Sequence, residues 1–71
     1  MDNTMTLTVY DAIKKYIAKE KFPPTMKEIC EITGLRSTSN VRYHLDKLEE
    51  MGMLKRQPRM ARSIVLTEIG G

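Results

Sequence analysis

The fold is decided by residues 23–52, which read PPTMKEICEITGLRSTSNVRYHLDKLEEMG. The two prolines at its start lack an amide hydrogen, so a preceding helix must end before them. Thr25 and Glu28 have the spacing of a capping box, which predicts that a helix begins at Thr25 and runs to about Thr33. Gly34 suits the left-handed residue that follows many helices. The stretch therefore predicts two short helices joined by a tight turn.

The second helix of the stretch runs from about Thr38 to Met51, and Gly52 ends it. Its apolar residues recur every three or four positions and should face inward; they are Val41, Leu45, Leu48 and Met51. The opposite face carries polar side chains, which are Ser39, Arg42, Tyr43 and Asp46, with Asn40 at its margin. An exposed polar face is the simplest interpretation of this pattern, and a surface that binds a ligand is the other.

The segments on either side complete a small fold. An amphipathic helix begins near Thr6 or Thr8, capped by a threonine hydroxyl, and ends before Phe22. Residues 53–56 and 62–67 predict two strands around a basic turn, with Ile64 and Leu66 on one face. We therefore predict a mainly α fold with a small β-hairpin, namely a three-helix winged helix-turn-helix. Residues 1–71 form one domain, with flexible tails at 1–5 and 68–71.

Composition limits the class of protein. A chain of 71 residues buries only a modest core. No apolar run reaches the roughly 20 residues of a membrane span, and residues 1–4 do not resemble a signal peptide. The single cysteine, Cys30, has no partner for an internal disulfide, which indicates a reducing, cytoplasmic setting.

The charge is unevenly distributed. Five lysines balance five acidic residues in 1–35, whereas residues 36–62 carry seven basic and three acidic residues. A positive second half is suited to a phosphate backbone. It is equally what a solvated surface rich in lysine and arginine would give.

Candidate enzymatic residues are few. His44 has no second histidine or cysteine pair to complete a metal site, so a half-buried structural role is favoured. Cys30 suits a close helix contact better than a reactive thiol. Asp46, Glu49 and Glu50 are surface carboxylates, and Asp46 could pair with Lys47. We predict no catalytic residue, metal, cofactor or small-molecule substrate.

The polar face of the second helix is typical of one that enters the major groove of double-stranded DNA. Arg42 can give two hydrogen bonds to guanine and Asn40 two to adenine, while Ser39 and Tyr43 can touch base edges. Basic residues on or beside the hairpin would meet phosphates; they are Lys55, Arg59 and Arg62. For each residue, the alternative is an exposed side chain with no ligand.

Several motifs resemble the N-terminal DNA-binding domain of the LexA family of SOS-response repressors. They are Val9 to Ile13, Phe22 to Ile29, Gly34 to Ser37, His44-Leu45, Leu48 to Gly52 and Arg62 to Leu66, so the resemblance covers about residues 6–67. The sequence departs from the family at Thr33, where an apolar residue is expected and is found instead at Ile32.

The resemblance implies a winged helix-turn-helix that represses transcription from a two-fold operator. It places base reading at Ser39, Asn40, Arg42 and Tyr43 and puts Ser37 near the DNA backbone. Family members also carry a peptidase domain with a dimer interface; a chain ending at Gly71 is expected neither to cleave itself nor to dimerise that way. Homodimer formation on DNA stays open, as does a second hypothesis: a winged-helix protein-interaction module that pairs with another regulator without reading DNA.

Overall fold

The computed structural model describes residues 4–56 and 64–67, which form three helices and two short strands. Helix α1 spans Thr4–Glu20, α2 spans Met26–Thr33 and α3 spans Thr38–Glu50, followed by strands β1, Leu54–Lys55, and β2, Val65–Leu66. The two strands pair in antiparallel fashion. The predicted fold class, three helices with a small β-hairpin, is confirmed.

Helix α1 begins earlier than the sequence predicted, at Thr4 and not at Thr6 or Thr8. Met5 lies one helical turn before Val9 and packs against the core, which favours the longer helix. The predicted threonine caps are therefore wrong. Thr6 is buried against helix α3, and the hydroxyl of Thr8 donates to the carbonyl of Thr4.

The end of α1 lies ahead of the prolines, as predicted, but its stop signal is not a glycine. The helix ends at Glu20, and Lys21 adopts a left-handed conformation with φ 70°. Its N–H donates to the carbonyl of Ile17 at 2.8 Å. A side chain in this region of backbone space is strained relative to glycine.

Both ends of α2 are fixed by the residues that the sequence indicated. The N–H of Thr25 donates to Glu28 Oε1 at 2.8 Å, and the N–H of Glu28 donates to Thr25 Oγ1 at 3.2 Å. This is the predicted capping box. Gly34, with φ 80°, donates its N–H to the carbonyl of Cys30 at 2.9 Å and ends the helix.

The core lies where the three helices meet the inner side of the hairpin. Each helix packs against the other two, and α3 also packs against β1. Burying each large aliphatic side chain contributes about 1.5–3 kcal/mol. The buried apolar residues are Val9, Ile13, Ile29, Val41, Leu45, Leu48, Leu54 and Ile64. Cys30 is half-buried against this cluster, as its predicted packing role requires.

Met51 does not face inward as predicted, because it is 42% exposed. At 3.6 residues per turn it lies about 90° from the centre of the stripe formed by Val41, Leu45 and Leu48. Helix α3 ends at Glu50, and Gly52 follows with φ 78°. This turn brings Leu54 into the core.

The inner face of the hairpin is the predicted one. Leu54 pairs with Leu66 and Lys55 with Val65. Ile64 is buried and Leu66 half-buried, whereas Val65 is 60% exposed. The predicted basic turn at 57–61 lies outside the described residues.

The departure from the family at Thr33 has a local solution. The hydroxyl of Thr33 donates to the carbonyl of Ile29 at 2.6 Å, which satisfies the polar side chain within the helix. Ile32 is 44% exposed and lines a groove between α1 and α2. The apolar side chain at 32 therefore lies at the surface, and α2 continues to Thr33.

None of the helices in residues 4–56 and 64–67 combines the length and hydropathy that a membrane-spanning segment requires.

Candidate nucleic-acid interface

The N-terminal half of α3 presents a continuous exposed surface. Val41, Leu45 and Leu48 are fully buried on the inner side of the helix. The residues predicted to read bases are all exposed; they are Ser39, Asn40, Arg42 and Tyr43. We call this set the reading face. The helix therefore separates a core side from a polar side as its periodicity predicted.

Arg42 is free within the described part of the chain, where it has no hydrogen bond or ion pair. Its side chain borders a depression of about 230 Å³ that is also lined by Met26, Thr38 and Ser39. The depression lies where the first turn of α2 meets the first turn of α3. An unpaired guanidinium beside a recess can donate to an incoming acceptor without first breaking an internal bond.

Tyr43 is held by its neighbours on the same helix. Its ring meets the ring of His44 edge-on, with centroids 5.1 Å apart and planes at 76°. The Nζ of Lys47 lies 5.6 Å from the centre of the tyrosine ring, a cation–π distance. Lys47 was not among the predicted site residues, although its position one turn after Tyr43 is the sequence signal for this contact.

Ser37 is the N-cap of α3. Its Oγ accepts a hydrogen bond from the N–H of Asn40 at 3.3 Å. The residue is exposed at the end of the helix where free amides attract anions. Ser37 thus has a structural role in addition to the predicted position near the DNA backbone.

Lys55 is exposed on β1, where it pairs with Val65. It therefore lies on the hairpin and not on the helix that carries the reading face. Arg59 and Arg62, the other predicted phosphate contacts, lie outside the described residues. The structure thus gathers five of the eight predicted residues, 37 to 43, around the start of one helix.

Asp46 does not pair with Lys47 as predicted. It accepts a hydrogen bond from Arg56, which also binds Glu49 through Nη2 at 3.0 Å and Nε at 3.2 Å. Burial lowers the pKa of Arg56, but the hydrogen bonds and charges of the two carboxylates outweigh it and raise that pKa overall. Arg56 is 21% exposed and ties the end of β1 to the second half of α3.

His44 has the structural role that the sequence favoured. Its Nδ1 lies 2.8 Å from the Oγ1 of Thr6, which is 2% exposed. Burial lowers the pKa of His44, and the nearby positive charge of Lys47 lowers it further. A neutral imidazole can accept from the buried hydroxyl and so joins α1 to α3.

Metal-binding chemistry has no visible centre in residues 4–56 and 64–67. No group of three or more histidine, cysteine, aspartate or glutamate side chains is close enough there to hold a metal ion. The carboxylates that come together, Asp46 and Glu49, are occupied by Arg56.

A family model described as the LexA DNA binding domain matches residues 5–63. The chain belongs to the LexA DNA-binding domain family. Over 60 residues, or 84% of its length, the chain is 43% identical to the LexA repressor of Caldicellulosiruptor saccharolyticus. It is 45% identical over 62 residues, or 87% of the chain, to that of Alkaliphilus oremlandii, and 42% identical over 60 residues, or 84%, to that of Clostridium tetani.

The matched region spans 30% of the length of each of these relatives. The residues matched by the LexA DNA-binding domain model cover α1 except its first residue, and all of α2, α3 and β1. The resemblance seen in the sequence motifs is therefore confirmed at the level of the family.

Proposed function

We propose that this LexA-type domain binds double-stranded DNA by placing the N-terminal half of α3 in the major groove. The observation that carries the proposal is the exposed reading face, on which Arg42 has no partner among residues 4–56 and 64–67, presented by a helix-turn-helix in a member of this family. Binding at an operator represses transcription by occupying the site. The names of the matched relatives, which are repressors, support that outcome.

The reading face divides base recognition among its residues. Arg42 donates two hydrogen bonds to guanine O6 and N7, and Asn40 pairs with adenine N6 and N7. Ser39 and Tyr43 contact base edges beside them. Since these four residues lie within one and a half helical turns, they span the few base pairs of one operator half-site.

The backbone contacts supply affinity and not base discrimination. Ser37 lies at the free amides of α3, where a phosphate is favoured. The basic residues of the second half of the chain add to it, and they include Lys55, Arg59 and Arg62. In this proposal residues 1–71 act as one DNA-binding module with no catalytic role of its own, so detectable peptidase activity would contradict it.

Two copies of the domain fill a two-fold operator in this proposal, one on each half-site. A single copy reads only a few base pairs and binds weakly, whereas two linked copies gain from effective concentration. The operator should therefore be palindromic.

A duplex titration at low salt tests DNA binding directly. The protein is added to fluorescent duplexes of random sequence, and anisotropy is followed as salt is raised. We expect binding that weakens steeply with salt, because counterions are released from phosphates. An equally charged single-stranded DNA serves as the control. No binding to any duplex at low salt would refute the function.

One feature favours a second candidate, binding of a protein partner. The groove between α1 and α2 has a volume of about 440 Å³, and its lining includes Ala12, Tyr16 and the exposed Ile32. A partner docked there would leave the reading face uninvolved. Sedimentation of this chain mixed with a candidate regulator, with and without DNA, separates the two functions, since only the second forms a complex without DNA.

A further inference from the structure

Two opposite charges on α3 stand at pairing distance in sequence but do not pair. Asp46 follows Arg42 by four residues, the spacing at which an acid and a base meet on a helix surface. Yet Arg42 makes no ion pair with any residue in the described ranges, and Asp46 binds Arg56 instead. Helix α3 therefore carries a carboxylate, Asp46, that could pair with Arg42 but that already binds Arg56.

The hairpin explains why Arg56 reaches this position. Side chains alternate along a strand, so the buried Leu54 and the exposed Lys55 predict that Arg56 again points toward α3. Its guanidinium donates to Asp46 and makes two further hydrogen bonds to Glu49. One of these three bonds engages the Asp46 carboxylate, and the two to Glu49 fix the guanidinium, which is 21% exposed, beside it. A planar group fixed in this way binds a carboxylate better than a solvated side chain does.

We propose that Arg56 is a positioning residue for base recognition, because it holds the Asp46 carboxylate and so leaves the Arg42 guanidinium free for guanine. This inference rests on the proposed DNA-binding function. Without Arg56, Asp46 is free one turn from Arg42 and accepts its donors. An arginine paired in this way no longer presents both donors to O6 and N7, so discrimination at that base pair falls.

The test compares discrimination ratios in four proteins: wild type, Arg56→Gln, Arg56→Gln with Asp46→Asn, and Arg56→Gln with Glu49→Gln. The probe is a duplex selected from a random pool, in which Arg42→Ala identifies the guanine that Arg42 reads. Each protein is titrated with this duplex and with one that has adenine at that position. The ratio of the two affinities cancels changes in net charge and in folded fraction, which alter both titrations alike.

We expect a ratio of about tenfold or more in the wild type and below about threefold in Arg56→Gln. Adding Asp46→Asn should restore the ratio, because it removes the competitor. Adding Glu49→Gln should not, because Glu49 lies seven residues from Arg42 and two helical turns away. If Arg56 had only a structural role, replacing one of its bonding partners as well would not restore the ratio.

Three results would overturn the inference: an unchanged ratio in Arg56→Gln, rescue by neither second substitution, or equal rescue by both. All three leave DNA binding by the wild type in place. Absence of any sequence preference in the wild type would overturn this inference together with the proposed function, so the two failures are distinguishable.

Discussion

Arg42 is the residue on which sequence discrimination depends in the proposed function. It is exposed on the reading face and unpaired within the described residues. If it donates two hydrogen bonds to guanine, Arg42→Ala should reduce discrimination at one base pair by about 1–3 kcal/mol. Competition titrations with duplexes changed at each position measure the loss. Lys14→Ala, which removes an exposed positive charge from α1, is the matched control and should leave discrimination unchanged.

We expect His44 to make the stability of the domain depend on pH. Its pKa is lowered by burial and by Lys47 from an ordinary value of 6.5. The unfolded chain therefore binds a proton more readily than the folded one, so the free energy of unfolding decreases as pH falls through 6.5 and then through the lower folded pKa. Above pH 6.5 this contribution to stability is fully present.

Urea denaturation at several pH values between 5 and 8 tests this linkage. The wild type should lose stability on the acidic side, and His44→Gln should lose less over the same interval. Equal pH dependence in both proteins would show that other groups are responsible.

Single residues were predictable from sequence where their role follows from local spacing. The inward stripe of α3 and the exposure of Arg42 both follow from helical periodicity alone. The partner of Asp46 did not, because Arg56 is ten residues away and reaches it only after the chain has turned at Gly52. Local spacing suggested Lys47, but Lys47 points toward the ring of Tyr43.

At the start of α3, Ser37 is both the helix cap and the proposed phosphate contact. Ser37→Ala removes the acceptor for the Asn40 N–H and should lower stability by about 1 kcal/mol. Ser37→Asp keeps a good cap, so stability is retained, but it adds a negative charge beside DNA.

Thermal unfolding together with duplex titration separates the two roles of Ser37. We expect Ser37→Asp to unfold like the wild type and to bind every duplex more weakly. Wild-type affinity in Ser37→Asp would mean that no phosphate lies near this cap.

The end of α1 is the other element that can be tested, because Lys21 holds a left-handed conformation that glycine adopts without strain. Lys21→Gly relieves this strain but also makes the unfolded chain more flexible, which opposes the gain. The net effect should be an increase of about 0.5–1 kcal/mol in the free energy of unfolding. Lys19→Gly, placed within the helix, should decrease it. Chemical denaturation measures both, and destabilisation by Lys21→Gly would contradict the strain.

Element boundaries were predictable where the chain carries a specific signal. The capping box at Thr25 and the glycine at 34 placed α2 correctly, and the glycine at 52 placed the end of α3 to within one residue. The start of α1 was misplaced because Thr6 and Thr8 both offered caps, whereas the helix extends back to Thr4 and packs Met5 and Thr6 against the rest of the fold. The inward orientation assigned to Met51 was wrong because Met51 lies about 90° from the centre of the buried stripe of α3, and Leu54 takes the core position.

The whole fold leaves the reading face of α3 exposed, while the side chains next to that face are bound to other parts of the protein or to each other. His44 is joined to α1, Tyr43 is held by Lys47, and Asp46 is engaged by the hairpin. The reading face belongs to residues 36–62, the part of the sequence that carries the excess of positive charge. If one domain reads a short half-site, as proposed, tight and sequence-specific binding needs two copies.

Base reading by α3 can be tested by selecting bound duplexes from a random pool, in parallel with the wild type and with Arg42→Ala. We expect the wild type to recover a palindromic motif, and Arg42→Ala to recover the same motif with one guanine in each half-site no longer selected. Recovery of unrelated sequences by the wild type, or of identical motifs by both proteins, would contradict the assignment of base reading to α3.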